Sequence, residues 1–303
     1  MAGEREFDLG MAAHNAERYD EAYSYFRKAA ELGNPDGMDA VSEYLFKNLD
    51  GKGEDPEQGE YWLKKAADAG RAMSAHNLAY RYEQGIQVNV DELAAVHYYE
   101  IGIEGGVSMS ANNLANMYID GRGVRYNPNK AMELYQDAID MDDNMYGYYN
   151  IGNELYKGQH VQRDVPTAIK YLDKALELGM SEACVVLGEI YYSGYGVPID
   201  KVKTVYYLTK GREMDNATCI NNLAYCYEEG IGVDKNEAKA IDLYYEAAVK
   251  GSVDGEYNLA RCYFFGIGDD INDDQAFYWI KQAIEHGHPQ AEEFYQKMLE
   301  EIN

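Results

Sequence analysis

The stretch NNLAYCYEEGIGVDKNEAKAIDLYYEAAVKG, residues 221–251, contains the complete structural unit from which the chain is built. In its first half Leu223, Ala224 and Tyr227 stand at i, i+1 and i+4, so they share one buried stripe of an α-helix. The segment GIGV (230–233) interrupts that helical pattern, and small and aromatic residues then restore it up to a terminal glycine that suits a left-handed C-cap. The unit is therefore predicted to consist of helix A, a loop, helix B and a turn.

The same unit recurs along the chain at nearly constant spacing. Six segments align on one small residue of helix A, and these small residues are Ala79, Ala115, Gly152, Gly188, Ala224 and Ala260. They are separated by 36, 37, 36, 36 and 36 positions, a period typical of solenoids in which each repeat contacts only its neighbours. A glycine often closes helix B as well, at Gly70, Gly105, Gly179, Gly251 and Gly287.

The ends of the chain are less regular than its middle. Two further units precede the six, with Gly10 and Val41 at the small position and loops of unusual length. The last residues have a charged face suited to capping the stack. We predict one repeat array over residues 1–303, comprising a tetratricopeptide-like first repeat at 4–37, regular repeats at 38–287 and a capping helix at 288–303.

Residues 221–251 resemble the Sel-one-like repeat family, a branch of the tetratricopeptide superfamily, almost throughout their length. The resemblance extends over nearly the whole chain, although the first repeat lacks the long loop and GDDINDD (268–274) departs from the family pattern. It implies an all-α, right-handed superhelical solenoid of about eight helix-loop-helix repeats with a C-terminal capping helix. It also implies that the protein is an adaptor that binds another protein.

The chain is strongly acidic, with 53 acidic and 27 basic residues and a formal net charge of -26. The negative charge is spread over the whole length, which disfavours nucleic acid and anionic lipid and favours basic partners, or serves solubility alone. The N-terminal sequence MAGEREFDLG lacks the features of a signal peptide, and no apolar run is long enough to span a membrane. We expect a cytoplasmic protein with reduced thiols at Cys184, Cys219, Cys226 and Cys262.

In a tetratricopeptide-like superhelix helix A lines the concave face, so the resemblance implies where a partner would bind. The positions three before, one after and four after the small residue are expected to face this groove. They are His76, Tyr80, Glu83, Asn112, Asn116, Ile119, Tyr149, Asn153, Tyr156, Val185, Glu189, Tyr192, Asn221, Tyr225, Glu228, Tyr257, Arg261 and Phe264. Tyr and Asn suit peptide recognition, and the carboxylates would favour Lys or Arg, so we expect a protein or peptide partner with a basic segment.

A structural role competes with binding for part of this surface. Asn recurs two positions before the small residue, and it is expected to brace the fold more than to touch a ligand; its occurrences are Asn77, Asn113, Asn150, Asn222 and Asn258. The groove residues themselves could also be an ordinary solvated face.

Catalytic and metal-binding signals are weak. The six histidines are scattered, without an HExxH motif or a His/Cys cluster, and GxSxG, P-loop and dinucleotide motifs are lacking. The acidic loop at 268–274 lacks the glycine and terminal glutamate of a calcium-binding hand. We expect no enzyme, cofactor or metal. Two alternatives to the adaptor stay open: an acidic inhibitor or immunity-type protein that sequesters a basic effector, and a repeat enzyme acting on cell-wall compounds.

Overall fold

The computed structural model describes residues 2–302, without the side chain of Ile302, and in this range it contains seventeen α-helices and no β-strand. The helices are α1 Glu4–Asn15, α2 Tyr19–Glu31, α3 Pro35–Lys47, α4 Pro56–Asp68, α5 Ala72–Gln84, α6 Glu92–Glu104, α7 Ser108–Asp120, α8 Pro128–Asp142, α9 Met145–Lys157, α10 Val165–Glu177, α11 Glu182–Ser193, α12 Lys201–Glu213, α13 Ala217–Glu229, α14 Glu237–Val249, α15 Val253–Phe265, α16 Asp273–Glu285 and α17 Ala291–Ile302. Odd-numbered helices up to α15 are the predicted A helices, and even-numbered ones are the B helices.

The helices form two compact units, of which the first ends at Ile151 and the second begins at Gly152, within α9. Among the helices other than α9, helix A packs against helix B of its own hairpin, as α5 packs on α6 and α13 on α14. Helix B then packs against the next helix A, as α6 on α7 and α14 on α15. This alternation is the predicted solenoid of helical hairpins.

The small residues of helix A lie where the two helices of a hairpin come closest. Ala79, Ala115, Ala224 and Ala260 are fully buried. At Gly188 a Cβ atom would lie 3.2 Å from Leu208 Cδ2 on the following helix B. Small side chains are therefore required here because helix B occupies the space that a larger one would need.

Replacing Ala224 by leucine is expected to overpack this seam and to lower the free energy of unfolding by about 1–3 kcal/mol. Urea denaturation followed by circular dichroism measures the change. The control is Ala238→Leu on the exposed side of α14, where the same side chain meets solvent. Equal effects of the two substitutions would contradict the tight seam at Ala224.

Helix B begins with the same N-terminal cap in seven repeats. The side chain of an Asp or Asn accepts a hydrogen bond from the amide three residues later, at Asp55, Asp91, Asn127, Asp164, Asp200, Asn236 and Asn272. Such a cap stabilises a helix by about 1 kcal/mol. Within the acidic segment 268–274 the capping residue is Asn272, so this loop has a structural function in its own repeat.

Glycines in left-handed conformation join the elements. The predicted closing glycines of helix B have positive φ at Gly70, Gly179, Gly251 and Gly287. The prediction is wrong by one residue at Gly105, whose φ is -87°, because Gly106 takes the left-handed position instead.

In three of the GxG loops the second glycine touches the backbone of the preceding repeat. A Cβ atom on Gly123 would lie 2.5 Å from the carbonyl oxygen of Glu92, and one on Gly232 or Gly268 would collide with the carbonyl oxygen of Lys201 or Glu237. Glu92, Lys201 and Glu237 are each the first residue of helix B in the preceding repeat. The loop glycines thus allow backbone-to-backbone contact between consecutive repeats.

Candidate functional site

The predicted groove positions separate into exposed and buried classes. One residue after the small residue, Tyr80 and Tyr225 are exposed at 45% and 44%, and Glu189 is exposed as well. Asn116, Asn153 and Arg261 at this position are half-buried. Of the three predicted groove positions, the one directly after the small residue therefore has the most exposed side chains.

Three residues before the small residue, the side chains mostly join consecutive A helices. His76, Asn112 and Asn221 are buried. Asn150 Nδ2 donates a hydrogen bond of 2.8 Å to Asn112 Oδ1, and Asn258 Nδ2 donates one of 3.0 Å to Asn221 Oδ1. The expectation that His76, Asn112 and Asn221 face an open groove is wrong, because this position points at the next helix A.

A further hydrogen bond joins the consecutive A helices α5 and α7. His76 Nδ1 lies 3.0 Å from Ser110 Oγ, and burial lowers the pKa of His76. Tyr149 and Tyr257 are half-buried, and the ring of Tyr257 stacks on His288 with 4.2 Å between centroids. Both tyrosine side chains are therefore partly packed within the fold, in addition to any contact that they make with a partner.

Four residues after the small residue, two carboxylates are buried and already paired. The side chains of Glu83 and Glu228 are each 6% exposed. Tyr244 donates a hydrogen bond of 2.7 Å to Glu228 Oε2, and Arg261 Nη2 lies 2.6 Å from the same oxygen. Glu83 and Glu228 are therefore not available to a basic partner, contrary to the expectation, and Arg261 is the partner of Glu228 while it remains half-buried.

Glu83 has the same surroundings in the first unit. Tyr99 donates a hydrogen bond of 2.6 Å to Glu83 Oε2, and Arg122 Nη2 lies 2.8 Å from Glu83 Oε1. In both clusters the tyrosine comes from helix B of the same repeat and the arginine from the next repeat. The Glu228 cluster therefore connects three helices through one buried charge, and the Glu83 cluster connects α5, α6 and the loop after α7.

The remaining residues at this position differ. Phe264 is buried against Phe294, and Tyr156 is buried with its hydroxyl donating a 3.1 Å hydrogen bond to Glu189 Oε1. Tyr192 is 45% exposed. Among the predicted aromatic groove residues, Tyr80, Tyr192 and Tyr225 are thus the exposed ones.

In the first unit a cleft of about 320 Å³ lies between the consecutive A helices α3 and α5. Leu63 of α4 forms its floor, and Asn77 and Tyr80 of α5 line one wall. Three of its charged residues are paired within the protein: Lys47 lies 2.6 Å from Glu43, and Asp39 lies 3.1 Å from Arg71. Arg81, which also lines the cleft, lies over the ring of Phe46 at 3.6 Å from its centre.

In the second unit a cleft of about 290 Å³ lies between the consecutive A helices α11 and α13. Its floor is formed by Thr204 and Leu208 of α12. Its walls are formed by Val185, Gly188, Glu189, Tyr192, Asn222, Tyr225 and Cys226. Burial, then the neighbouring Tyr192 and Glu229, raise the pKa of Tyr225, so its hydroxyl keeps its proton and can donate a hydrogen bond.

The two clefts occupy the same place in the repeat. Asn77 and Tyr80 correspond to Asn222 and Tyr225, and both pairs belong to an NLAY segment. Asn77 and Asn222, which the sequence predicts to brace the fold, also line the cleft walls, and Asn222 Oδ1 accepts a hydrogen bond of 3.2 Å from Asn221 Nδ2. The signal was in the sequence, since these two repeats alone combine Asn two before the small residue with Tyr one after it.

Within residues 2–302 no three His, Cys, Asp or Glu side chains meet in a way that could hold a metal ion. None of the described helices is long and apolar enough to cross a membrane. The four cysteines are buried, unpaired thiols, and burial raises the pKa of Cys184 and Cys226 to about 11.

The chain is similar in structure to several solved repeat proteins. A protective antigen of uropathogenic Escherichia coli displaying an SLR fold matches over 98% of this chain with a TM-score of 0.75 and 25% identity, and this chain spans 64% of that antigen. A Sel1 repeat protein from Oxalobacter formigenes matches over 98% of this chain and 87% of its own length, with a TM-score of 0.82 and 20% identity. Yeast Tom70 shares the fold at 16% identity over 98% of this chain and 62% of its own length, with a TM-score of 0.56.

The sequence itself identifies the family. No curated protein matches the chain significantly in sequence. The family model for the Sel1 repeat matches eight times in succession, at residues 9–34, 35–70, 72–107, 108–143, 146–180, 181–216, 217–252 and 253–288. These matches cover the helical hairpins described above, so the chain belongs to the Sel1 repeat family.

Proposed function

We propose that the protein is a non-enzymatic scaffold that binds a peptide segment of a partner protein in the clefts between consecutive A helices. Sel1 repeat proteins generally mediate protein–protein interaction, and their fold is typically a binding scaffold. The observation that carries the proposal is the recurrence of the cleft, since both units place an Asn and a Tyr at the same position beside an apolar floor.

The side chains at the second-unit cleft suit an extended peptide. Asn222 can donate to and accept from a peptide backbone, and Tyr192 and Tyr225 present flat faces at low entropic cost. Leu208 and Val185 would contact an apolar side chain of the peptide. Glu189, with Glu229 near Tyr225, would favour a neighbouring Lys or Arg, and the net charge of -26 would speed the approach of such a basic segment.

The double substitution Tyr192→Ala/Tyr225→Ala is expected to weaken partner binding at least about tenfold, because exposed tyrosines that a partner covers are frequent hot spots of interfaces. The partner is first isolated by affinity purification from the native host with quantitative mass spectrometry, and its affinity is then measured by titration calorimetry. The control is Tyr245→Ala/Tyr278→Ala, which removes two tyrosines that are 52% and 53% exposed on B helices. Equal binding by the two double variants would refute the cleft as the binding site.

A second candidate function is an acidic inhibitor of a basic effector, and the even spread of negative charge along the chain favours it. This function predicts stoichiometric inhibition with an association rate that falls steeply with salt. It also predicts that loss of the cleft tyrosines leaves inhibition intact, which separates it from the scaffold.

A further inference from the structure

Helix α12 differs from the rest of this acidic protein in its charge. It contains Lys201, Lys203, Lys210 and Arg212 but only one carboxylate, Glu213, giving a net charge of +3. Of the seventeen helices in the described residues, it alone has a net positive charge. The adjacent B helix α14 carries -2, from three carboxylates and one lysine.

The outward side of α12 also exposes apolar side chains. Val202 is 69% exposed and Tyr206 is 55% exposed, and Ile199, just before the helix, is 61% exposed. Val202 and Tyr206 are four residues apart and so lie on one face of the helix. Thr204 and Leu208 point the other way, into the cleft of the second unit, so the outward face is a separate surface.

The basic side chains of α12 are held mainly by exposed contacts, except that Lys203 lies against the buried Tyr191 of α11. Lys210 lies 2.8 Å from Glu213, and Arg212 lies 2.8 Å from Glu246, at side-chain exposures of 44% and 43%. The Lys203 ammonium lies 4.5 Å from the centre of the Tyr191 ring, and Lys201 is exposed. Exposed ion pairs contribute little to stability, so these charges can exchange partners at little cost.

We propose that the outward face of α12, formed by Ile199, Lys201, Val202, Lys203, Tyr206 and Lys210, docks an acidic segment of another protein that carries aliphatic or aromatic side chains. The apolar stripe would be covered by those side chains, and the flanking lysines would pair with the carboxylates. The net positive charge of α12 favours an acidic occupant by charge complementarity. The overall negative charge does not prevent docking, because at physiological salt exposed charges beyond about 8 Å are largely screened.

The matched surface on α14 makes the proposal testable. Tyr245 and Val249 are 52% and 63% exposed and four residues apart, as Val202 and Tyr206 are, but their neighbours Asp242 and Glu246 are acidic. The two helices thus present similar apolar side chains with opposite charge. Only the α12 pair is expected to contribute to binding of an acidic peptide.

The experiment is a fluorescence anisotropy titration with a labelled peptide that alternates Glu with Leu and Phe, and with a counterpart in which every Glu is Lys. The acidic peptide is expected to bind the full chain in a saturable, salt-sensitive manner. At α12 it is expected to bind more tightly than the basic peptide. Lys201→Glu/Lys210→Glu and Val202→Ser/Tyr206→Ser are each expected to weaken this binding about tenfold, equivalent to about 1.4 kcal/mol. Tyr245→Ser/Val249→Ser and the cleft variant Tyr192→Ala/Tyr225→Ala are expected to change it less than about twofold.

Circular dichroism and thermal denaturation of every variant verify that the fold is intact. Absence of saturable binding by the acidic peptide would overturn the proposal, as would equal losses from the α12 and α14 substitutions. A concentration-dependent dimer of the wild type that the α12 substitutions abolish would also overturn it, since the occupant would then be a second copy of this chain.

Discussion

Replacing Gly232 by alanine is expected to lower the free energy of unfolding by about 3 kcal/mol or more. Gly232 has a φ of +70°, which costs energy for any residue with a Cβ atom. The added Cβ would also collide with the backbone carbonyl of Lys201 in the preceding repeat, which cannot rotate away as a side chain could. The substitution therefore strains its own loop and separates two consecutive repeats.

The matched control is Gly251→Ala, which has a φ of +89° but no atom within 4 Å of the added Cβ. It carries the conformational cost alone and is expected to lose about 1 kcal/mol. Urea denaturation followed by circular dichroism and by tyrosine fluorescence measures both variants. Similar losses for the two glycines would show that contact between repeats adds nothing at Gly232.

Replacing Glu228 by glutamine is expected to lower the free energy of unfolding by about 2–3 kcal/mol, because it leaves the Arg261 guanidinium without its counter-charge in a mostly buried position. Burial opposes ionisation of Glu228, but the hydrogen bonds from Arg261 and Tyr244 outweigh it and hold its pKa below the ordinary value of 4.5. The control is Glu229→Gln, which changes the exposed neighbouring carboxylate and is expected to have an effect below about 0.5 kcal/mol.

The pH dependence follows from the direction of this shift. A carboxyl group whose pKa is lower in the folded than in the unfolded chain stabilises the fold above the unfolded value, and this contribution is lost as the pH falls. The difference in unfolding free energy between wild type and Glu228→Gln should therefore be full near neutral pH and shrink below about pH 4.5. A difference that stays constant down to pH 3 would contradict a lowered pKa of Glu228 in the folded protein.

A double substitution tests whether the pair acts as a unit. If Arg261→Met is combined with Glu228→Gln, the total loss should be smaller than the sum of the two single losses, because no unpaired charge remains buried. Additive losses would mean that the two side chains are energetically independent.

The sequence by itself determined the fold and its repeats. The Leu-Ala-Tyr stripe around Ala224 and the glycine loops are local patterns that recur about every 36 residues. Each helix and turn can therefore be predicted from a few neighbouring residues. The exposure of Tyr80 and Tyr225 could also be predicted, since both follow the small residue directly, whereas Tyr192 shares its helix position with the buried Tyr156 and Phe264.

Only the tertiary structure decided which remaining groove positions are available. Asn221 and Glu228 lie on the same helix as Tyr225, yet both are buried because Asn258 and Arg261 of the next helix A bond to them. Those partners are 37 and 33 residues away, and the contact depends on how one helix A leans on the next. Helical periodicity describes the faces of a single helix, whereas burial between repeats depends on the distance and angle between helices, which side-chain packing over both hairpins sets.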